Sequence, residues 1–213
     1  MNDALGSGLA GRGLECVRGE RTVFSGLDFA VPPGGALVLR GPNGSGKSSL
    51  LRLIAGLLEP AAGTITWNGE PVDDDAEAHH ARLRYVGHLD AVKPALTVAE
   101  NLAFWAGLHG GGRGSAAALD RLGLGHLADV PARLLSAGQR RRLALARIVA
   151  APAPLWLLDE PTVTLDEEAV GVVEALIAAH RADGGLVVVA THTGLQLPEA
   201  EALDLGAARG APP

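Results

Sequence analysis

The stretch VLRGPNGSGKSSLLRLIAG, residues 38–56, predicts a strand, a glycine-rich turn and a helix in immediate succession. An apolar run comes first, and apolar residues at helical spacing follow the glycines. Gly41, Gly46, Lys47 and Ser48 fit the pattern G-x-x-x-x-G-K-[ST], in which backbone N–H groups converge on a bound phosphate. The strand before the loop and the helix after it favour a phosphate-binding loop over a glycine turn without function.

The chemistry of this loop predicts ATP and Mg²⁺ as cofactors. Lys47 is expected to meet the β- and γ-phosphates, and the Ser48 hydroxyl to ligate the metal. The positive end of the following helix adds to the attraction for an anion. The residues predicted to bind the nucleotide here belong to the loop and the first helical turn: Gly41, Pro42, Asn43, Gly44, Ser45, Gly46, Lys47, Ser48 and Ser49.

A second candidate stretch, LWLLDE at residues 155–160, ends in two carboxylates. Its apolar residues predict a buried strand that delivers Asp159 and Glu160 to the edge where open α/β sheets bind ligands. We expect Asp159 to hold Mg²⁺ through water and Glu160 to polarise the attacking water. The alternative is an acidic pair facing solvent, and the phosphate loop in the same chain favours catalysis.

The order of predicted elements indicates an α/β fold in a single domain. Strands are predicted within residues 14–39, 63–69, 81–88, 154–161 and 185–192, and helices at 47–55, 136–150 and 167–182. Residues 97–130 have helical spacing, interrupted by the loop-like HGGGRGSAAA at 109–118. Alternating strands and helices predict a mostly parallel sheet covered on both faces. The tail, residues 206–213, is predicted to fray.

Composition excludes several classes of protein. The 213 residues are 47% hydrophobic and carry a net charge of −6, so we expect a folded chain with no nucleic-acid partner. The single cysteine, Cys16, cannot form an internal disulfide, which favours a reducing compartment. The N-terminal residues contain no apolar signal segment, and no apolar stretch is long enough to cross a bilayer. Direct membrane insertion is therefore not expected.

Motifs in the second half of the chain indicate which class of nucleotide-binding protein this is. LSAGQ at residues 135–139 resembles the LSGGQ signature of ABC ATPases, with Ala137 in place of the first glycine. PTVTLD at 161–166 resembles their D-loop, and VATH at 189–192 supplies their switch histidine, His192. This resemblance implies a P-loop NTPase of the ABC type, with a mostly parallel central sheet, a small antiparallel β subdomain and a short helical subdomain. Residues of about 14–87 and 150–205 would form the core, and about 88–149 the helical lobe.

The same resemblance implies a homodimer in the ATP-bound state. In this family two copies join head to tail, so that each signature caps the γ-phosphate held by the other chain. Ser136, Gly138 and Gln139 would then bind the partner's nucleotide, and Ser136 opens a helix whose N-terminus suits an anion. The resemblance assigns catalysis to Glu160 and His192, together with Lys47.

Two positions depart from the family pattern. Where an aromatic residue usually stacks on adenine, this chain has Arg18, whose guanidinium plane can stack on a base. An exposed turn arginine is an equally good interpretation. Where the Q-loop glutamine is expected, the chain has His88, whose imidazole can bond a water near the metal. His88 therefore joins Ser48 and Asp159 as a candidate at the metal.

Four stretches together resemble one branch, the CcmA family of haem-exporter ATP-binding subunits in bacterial cytochrome c maturation. They are LECVRGERTVFSGLDF, YVGHLDAVKPALTVAENLAFW, LLSAGQRRRLALARI and PLWLLDEPTVTLD. The resemblance implies a peripheral ATPase at the cytoplasmic face of the inner membrane, a translocase that converts ATP and water to ADP and phosphate. Its implied partners are the integral membrane subunits, the cytochrome c maturation B, C and D proteins. Whether haem itself is exported or a haem-loaded chaperone is released stays open.

Other functions share many of these residues. An ABC ATPase of another transporter would carry the same catalytic set, and only contacts around residues 88–105 would separate the two. A soluble ABC protein acting on nucleic acid usually fuses two cassettes with basic extensions, and a P-loop kinase needs neither the signature nor His192. The arginine triplet 140–142 is interpreted as a solvated face near the nucleotide or a partner rather than as a nucleic-acid patch. His79-His80 is interpreted as part of a polar loop rather than as a metal site.

Overall fold

The computed structural model describes residues 7–110, 114–192 and 194–206. The strands are β1 (Leu9–Arg18), β2 (Arg21–Val31), β3 (Ala36–Arg40), β4 (Ala62–Trp67), β5 (Glu70–Pro71), β6 (Leu83–Val86), β7 (Leu155–Asp159), β8 (Leu186–Ala190) and β9 (Glu201–Asp204). The helices are α1 (Lys47–Ile54), α2 (Ala76–Ala81), α3 (Val98–Leu108), α4 (Ser115–Arg121), α5 (Ala137–Ala150) and α6 (Glu167–Ala182). Two short 3₁₀ turns, Gly125–Leu127 and Ala132–Leu134, precede α5.

The central sheet has the order β6-β7-β8-β3-β9, and each neighbouring pair is parallel. All residues of β7 and β8 are buried, as the apolar runs LWLLD and LVVVA predict for strands covered on both faces. Because parallel strands end at the same edge, the loops after β3, β7 and β8 meet there. The phosphate loop and Asp159 thus lie on either side of the end of β8.

A second sheet is antiparallel, in the order β2-β1-β4-β5. It shares one hydrophobic core with α1 and one face of the central sheet, and Phe24, Leu14 and Leu50 are fully buried there. A second core lies on the opposite face of the central sheet and joins α3, α5 and α6. The predicted α/β architecture with a parallel sheet, an antiparallel sheet and a helical region is confirmed.

The helical region follows β6. Thr97 and Glu100 form a capping box at the start of α3, with Thr97 Oγ1 accepting from Glu100 N at 3.1 Å. Of the predicted loop at 109–118, residues 111–113 lie outside the described residues, and α4 already begins at Ser115. The predicted helices at 47–55, 136–150 and 167–182 are confirmed as α1, α5 and α6 to within one residue at each end.

Residues 76–81 are a helix, so the predicted polar loop around His79-His80 is wrong. Asp75 caps this helix, and its side chain accepts from Ala78 N at 2.9 Å. His79 is buried, and its Nε2 lies 2.7 Å from Ile54 O at the end of α1. His79 is therefore buried against α1, although the sequence pattern predicted that it would lie at the surface.

The C-terminal part adds an edge strand that the sequence pattern did not show. β9 pairs with β3, and Leu37 faces Glu201 in the register. Gly206 lies in a turn, and the rest of the predicted frayed tail, residues 207–213, lies outside the described residues. In the part of the chain that the structure describes, no helix is long and apolar enough to cross a membrane.

Candidate nucleotide-binding site

The loop between β3 and α1 folds tightly around its own lysine. Lys47 Nζ donates to Gly41 O at 2.8 Å and to Pro42 O at 3.2 Å. Gly41 has a φ of 136°, and a Cβ there would lie 2.7 Å from Ser45 Oγ. A side chain at position 41 would therefore break the loop. Because an ammonium has three donors and Lys47 uses two on the loop, its third can reach an anion.

The start of α1 is open for an anion. Gly46 is the N-cap, no side chain of the described residues caps the helix, and the first turn contains no acidic residue. The first backbone N–H groups of a helix have no partner within it, and the helix dipole concentrates positive potential there. This terminus therefore has the two properties that bind phosphate.

The carboxylates at the end of β7 face the same region. Asp159 is buried, and within the described residues its Oδ2 has no hydrogen-bond partner. An unpartnered buried carboxylate oxygen is costly, so it suits a site that holds a cation or its water shell. Ser48 lies across the same cavity. The residues present thus fit Mg²⁺.

Glu160 and His192 contact each other directly. His192 Nδ1 lies 2.9 Å from Glu160 Oε1, and His192 N donates to Glu160 Oε2 at 3.3 Å. Glu160 adopts a φ of 51°, a left-handed conformation that costs free energy for a residue with a Cβ. The strained turn directs the carboxylate toward His192, as is common at sites of catalysis.

One cavity of about 470 Å³ joins the separate predictions. Its lining includes residues from the phosphate loop, the end of β7, the segment after β6 and the segment after β8, namely Asn43, Gly44, Gly46, Lys47, Ser48, Ser49, His88, Asp159, Glu160 and His192. Val23 and Val163 complete the wall. The cavity can hold a polyphosphate beside a metal, with a carboxylate and an imidazole at one end.

Three residues of the predicted phosphate loop lie behind this cavity. Ser45 is buried and its N–H donates to Pro42 O at 3.1 Å. Gly41 lines a neighbouring cavity of about 580 Å³, which it shares with His192. The role of these three residues, Gly41, Pro42 and Ser45, is therefore to shape the loop and not to line the nucleotide cavity.

The signature residues lie outside the cavity. Ser136 caps α5 in a capping box, in which Ser136 Oγ accepts from Gln139 N and Gln139 Oε1 accepts from Ser136 N at 2.8 Å. Gly138 packs against the D-loop, and a Cβ there would lie 2.8 Å from Thr164 O. Ser136 and Ala137 are exposed, and neither lines the chain's own nucleotide cavity.

Arg18 is also outside the cavity lining. It ends β1, pairs with Arg21 across the turn and is exposed. The nearest part of β2 to the cavity is Val23, two residues beyond Arg21. Stacking of Arg18 on a base stays a prediction.

Arg141 is a functional candidate that the sequence interpretation missed. The arginine triplet was predicted to be a solvated face, and this is wrong for Arg141, which is only 4% exposed. Its guanidinium donates to Glu160 O at 2.9 Å and to Gly87 O at 2.9 Å. The helical spacing could have shown it, because Ala144, Leu145 and Ile148 lie on the same face and are buried.

Comparisons with known proteins identify the family of the chain. The ABC transporter family profile matches residues 24–163. The chain is 61% identical over 197 residues to the cytochrome c biogenesis ATP-binding export protein CcmA of Rhodospirillum rubrum, covering 92% of this chain and 84% of that protein. It is 57% identical over 204 residues to the protein of the same name from Paramagnetospirillum magneticum, covering 93% and 94%.

Solved structures show the same fold. A putative ABC transporter ATP-binding protein from Pyrococcus furiosus superposes with a TM-score of 0.81 at 25% identity, covering 94% of this chain and 98% of that one. The ATP-binding subunit of another ABC transporter gives a TM-score of 0.80 at 25% identity, covering 87% and 80%. The folds agree over nearly the whole chain.

Proposed function

The chain belongs to the ABC transporter family of ATP-binding proteins, in its CcmA branch, and from this premise we propose its activity. It is the ATP-hydrolysing subunit of an exporter in cytochrome c biogenesis. Its cycle energises haem export or the release of a haem-loaded chaperone, so that haem becomes available for covalent attachment to c-type cytochromes. As a member of the family the chain binds ATP.

The observation that carries the proposal is the 470 Å³ cavity, in which Lys47, Glu160 and His192 meet. Lys47 and the N–H groups of the loop bind the phosphates. Ser48 and Asp159 would hold Mg²⁺, which would supply charge neutralisation for phosphoryl transfer. Glu160 accepts a proton from the attacking water. His192, 2.9 Å from Glu160 Oε1, fixes the orientation of that carboxylate.

A second copy of the chain completes the site. Ser136, exposed, and the half-buried Gly138 and Gln139 begin α5 and do not line the chain's own cavity. A head-to-tail dimer brings that terminus to the γ-phosphate held by the partner, where the helix dipole adds positive potential. ATP thus joins the two copies, and hydrolysis separates them.

A groove beside the nucleotide cavity is the contact surface for the membrane subunits. It has a volume of about 780 Å³ and extends from the segment around His88 to Trp105 on α3 and Arg147 on α5. Leu89 is 80% exposed at its rim, and Leu57 and Leu108 are 61% exposed nearby. Exposed apolar side chains around a concave surface are typical of protein interfaces. The chain then acts as a peripheral subunit at the cytoplasmic face of the inner membrane.

Deletion and complementation test the proposed function. A strain that lacks the gene should show no c-type cytochromes on a haem-stained denaturing gel, while b-type haem proteins keep their spectra, because only the former need covalent haem. Wild-type protein should restore the bands, and Glu160→Gln should not. Normal c-type bands in the deletion strain, with no second copy of the gene, would contradict the role in cytochrome c biogenesis.

The groove has its own test. Leu89→Asp should leave the chain folded and able to bind ATP, but should prevent its sedimentation with membranes that contain the B, C and D subunits. Val17→Asp is a matched control, because Val17 is an exposed valine on β1 and does not line the groove. Equal sedimentation of both variants would place the membrane contact elsewhere.

A further inference from the structure

We propose that Arg141 is a positioning residue that links the groove-facing segment at residues 87–90 to the catalytic turn at Asp159–Glu160. The inference rests on the proposed function, because it concerns how contact with the membrane subunits regulates the same ATPase site. Arg141 does not line the nucleotide cavity, and its hydrogen bonds go to backbone carbonyls and to Asp90. It acts through the backbone that carries Glu160.

The contacts of Arg141 join three separate segments. On the side of β7, Nη2 donates to the carbonyl oxygens of Asp159 and Glu160, and Nε donates to Pro161 O at 3.3 Å. On the side of β6, Nη1 donates to Gly87 O at 2.9 Å and pairs with Asp90 Oδ1 at 3.1 Å. The side chain itself starts from α5, two residues beyond Gln139.

The planar guanidinium makes this geometry possible. Its fork fixes the directions of the N–H donors, so Nη1 and Nη2 serve different segments at the same time. An ammonium would place a point charge at the centre and could not hold all these acceptors with the same directions. A lysine at position 141 would therefore keep the charge and lose the link.

On the side of β7, the contacts of Arg141 reach Glu160, whose backbone conformation is strained. Glu160 has a φ of 51°, and such a conformation persists only where surrounding contacts hold it. Its N–H donates to Ala190 O at 2.8 Å, and its carbonyl accepts from Arg141. If Arg141 loses its fork, the turn relaxes, and the carboxylate loses its fixed position relative to His192 and the water it activates.

The other end of the link lies at the groove. Gly87 and Asp90 flank His88, and His88 lines both the 780 Å³ groove and the 470 Å³ nucleotide cavity. A partner that displaces residues 87–90 changes the acceptors of Nη1 and so shifts the guanidinium. The same movement reaches Asp159 and Glu160 through Nη2. Occupation of the groove is thereby transmitted to the catalytic carboxylate.

Neighbouring arginines show that the arrangement is specific to position 141. Arg140 donates to Leu135 O at 2.6 Å, and Arg142 to Leu122 O at 3.2 Å, so both of these hydrogen bonds go to the helical region. Neither is fully buried. Arg142→Lys is therefore a matched control, since it makes the same chemical change one residue away.

The experiment uses the wild-type complex and the Arg141→Lys complex, reconstituted in proteoliposomes. Nucleotide affinity should change less than about threefold, because the phosphate loop is untouched. The kcat for ATP should fall about tenfold or more, because Glu160 is misplaced. A separate loss of kcat with unchanged nucleotide affinity distinguishes positioning from a general loss of packing. Arg142→Lys should stay near wild type in both quantities.

Asp90→Asn isolates the groove side of the link. It removes only the ion pair, so the ratio of the hydrolysis rate in the complex to that of the isolated chain should fall at least about threefold. In the double variant Asp90→Asn, Arg141→Lys, the second change should add little, because both act on one link. This variant also keeps the proposal testable if Arg141→Lys does not fold.

Two results would overturn the link. One is a wild-type kcat in Arg141→Lys, and the other is an unchanged rate ratio in Asp90→Asn. The absence of ATPase activity in the wild-type complex would instead contradict the proposed function. The two failures are therefore distinguishable in the same set of assays.

Discussion

Two helix N-termini in this molecule suit a phosphate, and they differ in their capping and in their position relative to the nucleotide cavity. The start of α1 has no capping side chain among the described residues and opens into the cavity that contains Asp159 and Glu160. The start of α5 is closed by the Ser136–Gln139 capping box and lies exposed outside that cavity. The proposed function therefore needs only one chain at the start of α1, whereas at the start of α5 it needs a second copy that brings a nucleotide. The predictions below test this difference between the two termini.

The largest effect is expected at α1, from Lys47→Ala. Removal of the cation within the loop should abolish measurable hydrolysis, a fall of about 100-fold or more, and weaken ATP binding. Lys93→Ala is the matched control, since it removes the other lysine, whose Nζ lies 4.5 Å from the Phe104 ring centroid. Wild-type ATPase activity in Lys47→Ala would contradict the assignment of the start of α1 as the phosphate site.

Glu160→Gln separates binding from chemistry. The amide keeps the shape of the side chain but cannot accept the proton, so hydrolysis should fall by about 100- to 10,000-fold while ATP still binds. Size-exclusion chromatography with Mg-ATP should then show a stable dimer. Glu168→Gln, an exposed glutamate on α6, should behave as wild type. A monomer with ATP demonstrably bound would argue against assembly at the start of α5.

Ser136→Arg tests the second terminus alone. The added side chain occupies the space where a partner's γ-phosphate docks, so the dimer trapped by Glu160→Gln should disappear in the double variant. The affinity of the single chain for ATP should change less than about threefold, because Ser136 does not line its cavity. Ala116→Arg adds the same group to exposed α4 and should leave the dimer intact.

The smallest expected effect concerns the other end of α1. His79 Nε2 lies 2.7 Å from Ile54 O, and burial lowers the pKa of His79 below its usual 6.5. The folded state therefore favours the neutral ring, so this contribution to stability is present above pH 6.5 and is lost as the pH falls toward the folded-state pKa. One proton corresponds to at most about 1.4 kcal/mol per pH unit.

Thermal unfolding at several pH values measures this contribution. His79→Gln keeps an amide donor for Ile54 O and should flatten the decrease in melting temperature below pH 6.5. His80→Gln changes the exposed neighbour and should leave the wild-type slope. Equal slopes in all three proteins would mean that the His79 contact carries no linked proton.

The strands and helices that sequence pattern predicted well are those with a strong period. The runs LWLLD and LVVVA predicted β7 and β8, and the spacing after Gly46 predicted α1. Weak patterns failed. The short helix at residues 76–81 is polar in sequence, and its burial against α1 comes from tertiary contact through His79.

Histidine 180 illustrates the same limit. Its ring stacks on Trp156 with centroids 3.9 Å apart, and burial lowers the pKa of the imidazole. Nothing in the local sequence of α6 indicates that a tryptophan from β7 lies against it. Contacts between residues distant in sequence follow from how elements pack, which local spacing does not encode.

By itself, the sequence determined which groups are available to the candidate site. The phosphate loop and the acidic pair are local motifs of defined residue types and spacing, and the signature and the switch histidine are assigned by family resemblance. Only the tertiary structure decided their arrangement. The parallel sheet places the loops after β3, β7 and β8 at one edge, and so brings Lys47, Glu160 and His192 to one cavity. The tertiary structure also buries Arg141, because a guanidinium leaves water only where enough carbonyl oxygens converge on it. These oxygens come from two segments, at Gly87 and at Asp159–Glu160, that lie more than 50 residues apart in the chain.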